Sequence, residues 1–197
     1  MKKSVLIPIL AILLCAAVLF GAASLADRMY LENARSQHLQ DLKTLLPGAE
    51  SFTVEPYSGE DANILTVHKA EQGYVIETQT YGYAGNITVL VGVSKEGKVT
   101  GIVVRALSET FGLGANALHD ADFLAQFLNG SGSFAIGAPG ADAFSGATGA
   151  ETTGEETYVD GITGATVTSK AIARCVNSAV GYVTGADVSS GATSWGG

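Results

Sequence analysis

The chain has 197 residues, is 47% hydrophobic and carries a formal net charge of −8, a length that holds one domain of ordinary size plus an apolar anchor. Two of its 11 basic residues are Lys2 and Lys3 and all 19 acidic residues come later, so the body of the chain is more acidic than the whole. Such a body argues against nucleic acid as a partner and against binding an anionic bilayer surface through a basic patch.

From Ser4 to Ala26 no charge appears. The stretch is long enough to cross a hydrocarbon core of about 30 Å as a helix. Residues 1–3 are then a short cytoplasmic N-terminus, held inside by Lys2 and Lys3, with 4–26 a single transmembrane anchor and everything after it extracytoplasmic. The alternative is a cleaved signal peptide, for which Ser24-Leu25-Ala26 offers a small-x-small site, but the apolar run exceeds an ordinary signal core. Cys15 reads as a small apolar residue of the span, since Leu13-Leu14 replaces the small residues expected before a lipidated cysteine. Both readings export the same domain.

Residues 27–48 continue as a helical stalk, with Tyr30, Leu31, Ala34, Leu39, Leu42, Leu45 and Leu46 at helical spacing and Pro47-Gly48 ending it. The exported domain is placed at 49–185. Its first half is β: 64–68, 74–78, 87–93 and 99–104 are rich in β-branched residues, and Lys95-Glu96-Gly97-Lys98 makes a hairpin turn. Tyr81-Gly82-Tyr83-Ala84-Gly85 joins two strands and could either wall a planar ligand or serve as a connector. Ser108-Glu109-Thr110-Phe111-Gly112-Leu113-Gly114 reads as a loop with closely approaching backbone. Asp120–Asn129 reads as an amphipathic helix with Phe123, Leu124, Phe127 and Leu128 on one face. Residues 130–155 are a Gly/Ala-rich flexible excursion, and 186–197 a disordered tail. His38, His68 and His119 have no ligand spacing, so no metal site is expected. Cys175, the one cysteine after the anchor, is expected as a buried helical residue.

The informative stretch is Asp160-Gly161-Ile162-Thr163-Gly164-Ala165-Thr166. It reads as a tight turn handing over to a helix, with Thr168 or Ser169 as N-cap, Lys170–Val183 as body and Ile172, Val176, Ala179, Val180 and Val183 as its apolar face. Thr166 then offers a hydroxyl just ahead of a helix N-terminus, where unpaired N–H groups and a partial positive charge favour phosphate. The pattern Asp-x-x-(Ser/Thr)-Gly-Ala-Thr also occurs at Asp142–Thr148 and Asp187–Thr193. Neither copy precedes a periodic apolar segment, so Thr166 is preferred over Thr148 and Thr193.

This pattern resembles the flavinylation motif of FMN-binding domains in respiratory electron-transport complexes. The resemblance implies FMN joined to Thr166 by a phosphoester, installed by a flavin transferase, with Asp160, Thr163, Gly164 and Ala165 as the rest of the motif. The loop at 108–114 is similar to a Glu-Thr-Pro-Gly-Leu-Gly loop that borders the flavin in that family. Carried over by position, Glu109, Thr110, Gly112, Leu113 and Gly114 match, and Phe111 replaces the proline. Motif order, single anchor and domain size are together similar to the G-subunit family of Rnf ion-translocating ferredoxin:NAD oxidoreductases. A further likeness is to the C-subunit family of Na-translocating NADH:quinone reductases. The fold implied is α+β, a mostly antiparallel sheet flanked by helices. The role implied is an electron relay with no catalytic side chain of its own, working beside other membrane subunits. Two alternatives stay open at this stage: a stand-alone membrane-tethered flavoprotein carrier, and a non-redox exported binding module.

Overall fold

The computed structural model describes residues 3–107, 120–137 and 156–185, with side chains over 19–105, 120–137 and 157–185. The chain divides into two compact units, Met1–Asp41 and Leu42–Gly197.

The first unit is helical. Helix α1 runs Lys3–Leu45, joining the expected anchor and stalk into one element whose last turn belongs to the second unit. Among the described residues no helix is long and apolar enough to cross a membrane. The expected span, 4–26, falls largely on residues whose side chains lie outside the described set. Farther along, Leu19, Phe20, Leu25, Met29, Tyr30 and Leu31 are exposed.

The second unit is α+β, as expected. Strands β1 (Thr53–Glu55), β2 (Ile64–Lys69), β3 (Gly73–Tyr81), β4 (Asn86–Ser94) and β5 (Val99–Leu107) form one antiparallel sheet in chain order. Four of these extend the sequence-based strands by a few residues, and β1 was not anticipated. The β4–β5 turn is where it was placed. Gly97 takes φ +78°, and Ser94 and Lys98 close the hairpin through an N–H to carbonyl bond of 2.8 Å.

Both faces of the sheet are covered, which is why β4 reads as an unbroken apolar run. On one face Val67, Ile76, Ile87, Val89, Val91 and Val93 pack with Ile172, Cys175, Val176, Ala179 and Val180 of helix α3 (Thr166–Thr184). Phe123 and Phe127, from helix α2 (Ala121–Ala125) and the turn after it, complete this core. On the other face Leu42, Leu45, Leu46 and Ala49 pack on Val75 and Leu90. A Cβ at Gly92 would come within 2.2 Å of the Leu45 carbonyl oxygen, so this glycine lets the end of α1 seat on the sheet. The Thr100 hydroxyl donates to that same carbonyl. The domain therefore begins at Leu42, not at residue 49. Of the leucines that gave the stalk its helical spacing, Leu42, Leu45 and Leu46 are core residues of the domain, whereas Leu31 and Leu39 are exposed.

Three further expectations are corrected. Residues 130–137 are not part of a flexible excursion, because Ser133–Ile136 forms strand β6, with Phe134 and Ile136 buried. It pairs in parallel with β7 (Glu156–Val159), a small second sheet. The helix expected over 120–129 is only α2, and Leu128 is 41% exposed instead of sharing the buried face. The last helix starts at Thr166, ahead of Lys170. Its N-cap is Ala165, not Thr168 or Ser169, both of which are buried inside its first turns. The loop Glu109–Gly114, the stretch 138–155 and the tail 186–197 lie outside the described residues.

Candidate functional site

The Asp160–Thr166 turn links β7 to α3, and its geometry follows from small residues and side-chain clamps. Gly164 takes φ +81°, a conformation that strains any residue with a Cβ. Gly161 is small for a different reason: a Cβ there would lie 2.7 Å from Ile136 Cγ2. Ala165 is buried at the N-cap position with φ −126°, and its N–H donates to the Ile162 carbonyl at 2.9 Å.

Two side chains hold the turn. The Ser169 hydroxyl accepts from the Ile162 N–H at 3.1 Å and donates to the Ala165 carbonyl at 3.0 Å. It thus ties the turn to the first coil of α3 from inside the helix, which is why it cannot be the cap. The Gln126 amide takes both backbone groups of Asp160. Its Oε1 accepts from the Asp160 N–H at 2.8 Å and its Nε2 donates to the Asp160 carbonyl at 3.3 Å. The Asp160 carboxylate is exposed and makes no hydrogen bond among the described residues. The turn is therefore held through the backbone of Asp160 and not through its acid group.

Thr166 is the first residue of α3, and it is exposed. The first intrahelical bond is Ser169 N–H to Ala165 carbonyl, so the N–H groups of Thr166, Val167 and Thr168 have no partner within the helix. Ala165 supplies no side-chain cap. The result is a helix N-terminus with free donors, a partial positive charge and a hydroxyl on its first residue.

Farther along α3, Arg174 Nη2 donates to the Tyr81 carbonyl at 3.3 Å, at the far end of β3. Toward its C-terminus α3 meets Tyr74, near the start of β3, through Tyr182. The helix thus runs antiparallel to β3, and its N-terminal half lies toward the Tyr81 end of the sheet. At that end β3 turns into β4, with exposed Tyr81 and Tyr83, and β5 leaves the sheet at Leu107, paired with Ile87. The chain from Leu107 leads directly into the 108–114 segment. Leu107, the last described residue before that segment, and the N-terminal half of α3 therefore lie toward the same end of the sheet. Glu109, Thr110, Gly112, Leu113 and Gly114 themselves lie outside the described residues, as do Thr148 and Thr193. Thr163 and Gly164 occupy the turn itself.

Residues 82–181 match the FMN-binding domain family model, a span that opens at the β3–β4 turn and closes within α3. The chain belongs to the FMN-binding domain family. It is similar to the G subunit of the ion-translocating oxidoreductase complex of Methanosarcina acetivorans, 33% identical over 159 residues that cover 75% of each chain. It is 37% identical over 111 residues to the G subunit of the proton-translocating ferredoxin:NAD(+) oxidoreductase complex of Clostridium ljungdahlii, covering 56% of this chain and 53% of that one. It thus spans about half the length of that relative. A solved structure of the C subunit of Na(+)-translocating NADH-quinone reductase from Parabacteroides distasonis aligns at 20% identity and a TM-score of 0.46, covering 68% of this chain and 76% of that one.

Other groups that could carry chemistry are placed away from the turn. Cys175 lies on the buried face of α3, and burial pushes its thiol up to about 11, so it is no thiolate at neutral pH. Among the described residues no three His, Cys, Asp or Glu side chains gather as a metal site. Of the two residues that shape the turn, Ser169 was singled out from sequence only as a cap, and Gln126 was not singled out at all. The available hint for Gln126 was a polar residue set between Phe123 and Phe127, both core residues.

Proposed function

We propose that this chain is the flavin-bearing electron-relay subunit of an Rnf-type, ion-translocating ferredoxin:NAD oxidoreductase, with FMN joined by a phosphoester to the Thr166 hydroxyl. The observation that carries the reading is the exposed hydroxyl of Thr166 on the first residue of a helix whose N-terminus has no side-chain cap. Family membership and the two relatives from ion- and proton-translocating complexes support the cofactor and the class of complex.

The residues present fit a flavin monophosphate. The N–H groups of Thr166, Val167 and Thr168 would hold a phosphate against the positive end of α3. Gly164 and Ala165 leave that end open, since neither carries a polar side chain to fill it. Arg174 Nε is buried without a hydrogen-bond partner among the described residues and faces the end of the sheet where Tyr81 lies. Bound FMN would accept and release electrons between neighbouring redox centres. The protein's part is to fix its place and surroundings. A covalent link keeps the cofactor at high effective concentration even when its site opens.

In this reading Thr163, Gly164, Ala165 and Thr166 form the phosphate cradle. The Asp160 carboxylate, which the turn does not use, serves the flavin transferase. Glu109, Thr110, Gly112, Leu113 and Gly114 border the isoalloxazine. Residues 4–26 anchor the chain in the cytoplasmic membrane as a single span, with the domain on the extracytoplasmic side among the other membrane subunits.

The test is the full-length chain produced with a flavin transferase, denatured, and read by intact mass and in-gel flavin fluorescence beside Thr166→Val. Covalent FMN present in the wild type and absent from the variant is the expected result. Fluorescence that survives Thr166→Val moves the acceptor elsewhere. No covalent flavin in a competent host removes the relay assignment.

A further inference from the structure

The motif that marks the attachment turn starts at Asp160, yet the strongest hold on that residue comes from outside the motif. The amide of Gln126 accepts from the Asp160 N–H at 2.8 Å and donates to its carbonyl at 3.3 Å. An antiparallel strand offers a residue this same pair of bonds. Here β7 ends at Val159, whose carbonyl is taken by the Gly137 N–H at 3.0 Å. One side chain therefore continues the backbone pairing by one residue, into the turn.

The clamp has a rigid base. Gln126 stands between Phe123 and Phe127, both buried. Their rings meet each other at 5.4 Å, and Phe127 meets Phe134 of β6 at 5.2 Å. Asp120 caps α2 by accepting from the Phe123 N–H at 2.9 Å. Core packing thus fixes the backbone from which the exposed Gln126 side chain reaches, and its amide bonds the backbone where the turn begins. Ser169 fixes where it ends. With both ends held, the Asp160 carboxylate and the Thr166 hydroxyl are presented on a pre-set turn, each exposed.

We infer that Gln126 is a positioning residue for flavin attachment, holding the Asp160–Thr166 turn in the shape that the transferase must meet. This rests on the reading of Thr166 as the acceptor. The step it serves is a phosphoryl transfer without redox change. A Thr166 oxygen–phosphorus bond forms, and a phosphoanhydride bond of a flavin dinucleotide breaks. The nucleoside monophosphate leaves, and the hydroxyl proton passes to a base of the transferase. Gln126 touches none of the reacting atoms. Its loss would let the turn sample other shapes, and small misplacements of a reacting group are costly in rate.

The experiment uses the full-length chain in detergent, a purified flavin transferase and flavin adenine dinucleotide as donor. Initial rates of covalent incorporation are measured against protein concentration for wild type, Gln126→Met, Asn177→Ala and Thr166→Val. Asn177 is the matched control. Its amide makes the same two bonds to the backbone of Phe134, at 2.8 and 3.0 Å, away from the turn. Gln126→Met should lower kcat/KM for incorporation by about tenfold and speed amide exchange at Asp160. Asn177→Ala, with a comparable loss of thermal stability, should load at the wild-type rate. Wild-type loading in Gln126→Met overturns the inference and leaves Thr166 as acceptor. Equal loss of loading in both variants at equal loss of stability also overturns it, because the role would then be general stability. No incorporation into the wild type, or incorporation that survives Thr166→Val, overturns the acceptor assignment and the inference with it.

Discussion

Two helix ends in the second unit show opposite treatment. At the C-terminus of α1 the carbonyl of Leu45 is taken by the Thr100 hydroxyl, and the last turn is sunk into the sheet over Gly92. At the N-terminus of α3 there is no side-chain cap, and the first residue, Thr166, is exposed. Two further ends follow the first pattern. Asp120 caps α2, and Gly185, in the left-handed conformation with φ +69°, closes α3 by donating to the Gly181 carbonyl at 2.8 Å. A fold that closes these ends and leaves this one bare forgoes about 1 kcal/mol of capping at that place. The same bare donors are what an anion needs. One end serves cohesion, the other leaves its donors uncapped.

The largest expected effect lies at the open end. Thr166→Val should abolish covalent flavin while leaving stability within about 0.5 kcal/mol, because the removed hydroxyl is exposed and supports nothing in the fold. Flavin fluorescence and a denaturant melt on the same samples check both halves. A large loss of stability would show that this end is structural after all. The closed end should behave the other way. Gly92→Val drives a side chain into the Leu45 carbonyl, and should cost about 3 kcal/mol. In variant molecules that still fold, Thr166 should remain a substrate for flavin attachment.

How much of this could be read beforehand differs between the same two regions. The long strands were legible, and so was the presence of a helix after the Asp160–Thr166 turn. β-branched runs mark strands locally, and Thr166 alone among the motif copies precedes an apolar helical period. The register of α3 was not. Thr166, Val167 and Thr168 are β-branched and disfavour helix, so the helix was started late, and alanine is a poor N-cap by side-chain chemistry. Tertiary packing overrides both, by burying Thr168 and Ser169 under the turn. The stalk leucines were read with the right period, but that Leu42, Leu45 and Leu46 pack on the sheet was not legible, since periodicity does not say what a face packs against. Strand β6 was hidden in a Gly/Ser-rich stretch because its partner β7 lies far along the chain. Gln126 was hidden because a side-chain clamp exists only once the core has placed it.

Cys175 sharpens the comparison along α3 itself, since it stands on the closed middle of the helix whose start is open. Burial lifts its thiol from an ordinary value of 9.0 to about 11. The native chain then keeps its proton where the unfolded chain has lost it. Stability should fall as pH rises through about 9 and level off above about 11, a loss of at most about 2–3 kcal/mol. Cys175→Ala should remove that part of the alkaline slope in urea melts at pH 8, 9.5 and 11. An unchanged slope would mean that the thiol is open to water in the folded state. The native thiol should also resist alkylation at neutral pH until denaturant is added.

The smallest expected effect tests whether the closed end is closed by its hydrogen bond or by packing alone. Thr100→Val keeps the shape of the side chain and removes the one donor that the Leu45 carbonyl receives from it. That carbonyl belongs to the last turn of α1, where helix geometry leaves acceptors without partners. Covered by the end of the helix on one side and by the sheet on the other, it has little room for water in place of the hydroxyl. The substitution should cost about 1–2 kcal/mol, the penalty for a buried acceptor left unmet. A loss of that size, with flavin loading at Thr166 unchanged, would show that hydrogen-bond closure at α1 and openness at α3 are independent choices of one fold. No loss at all would assign the docking to Leu42, Leu45, Leu46 and the Gly92 seat alone, making the closed end a matter of apolar burial.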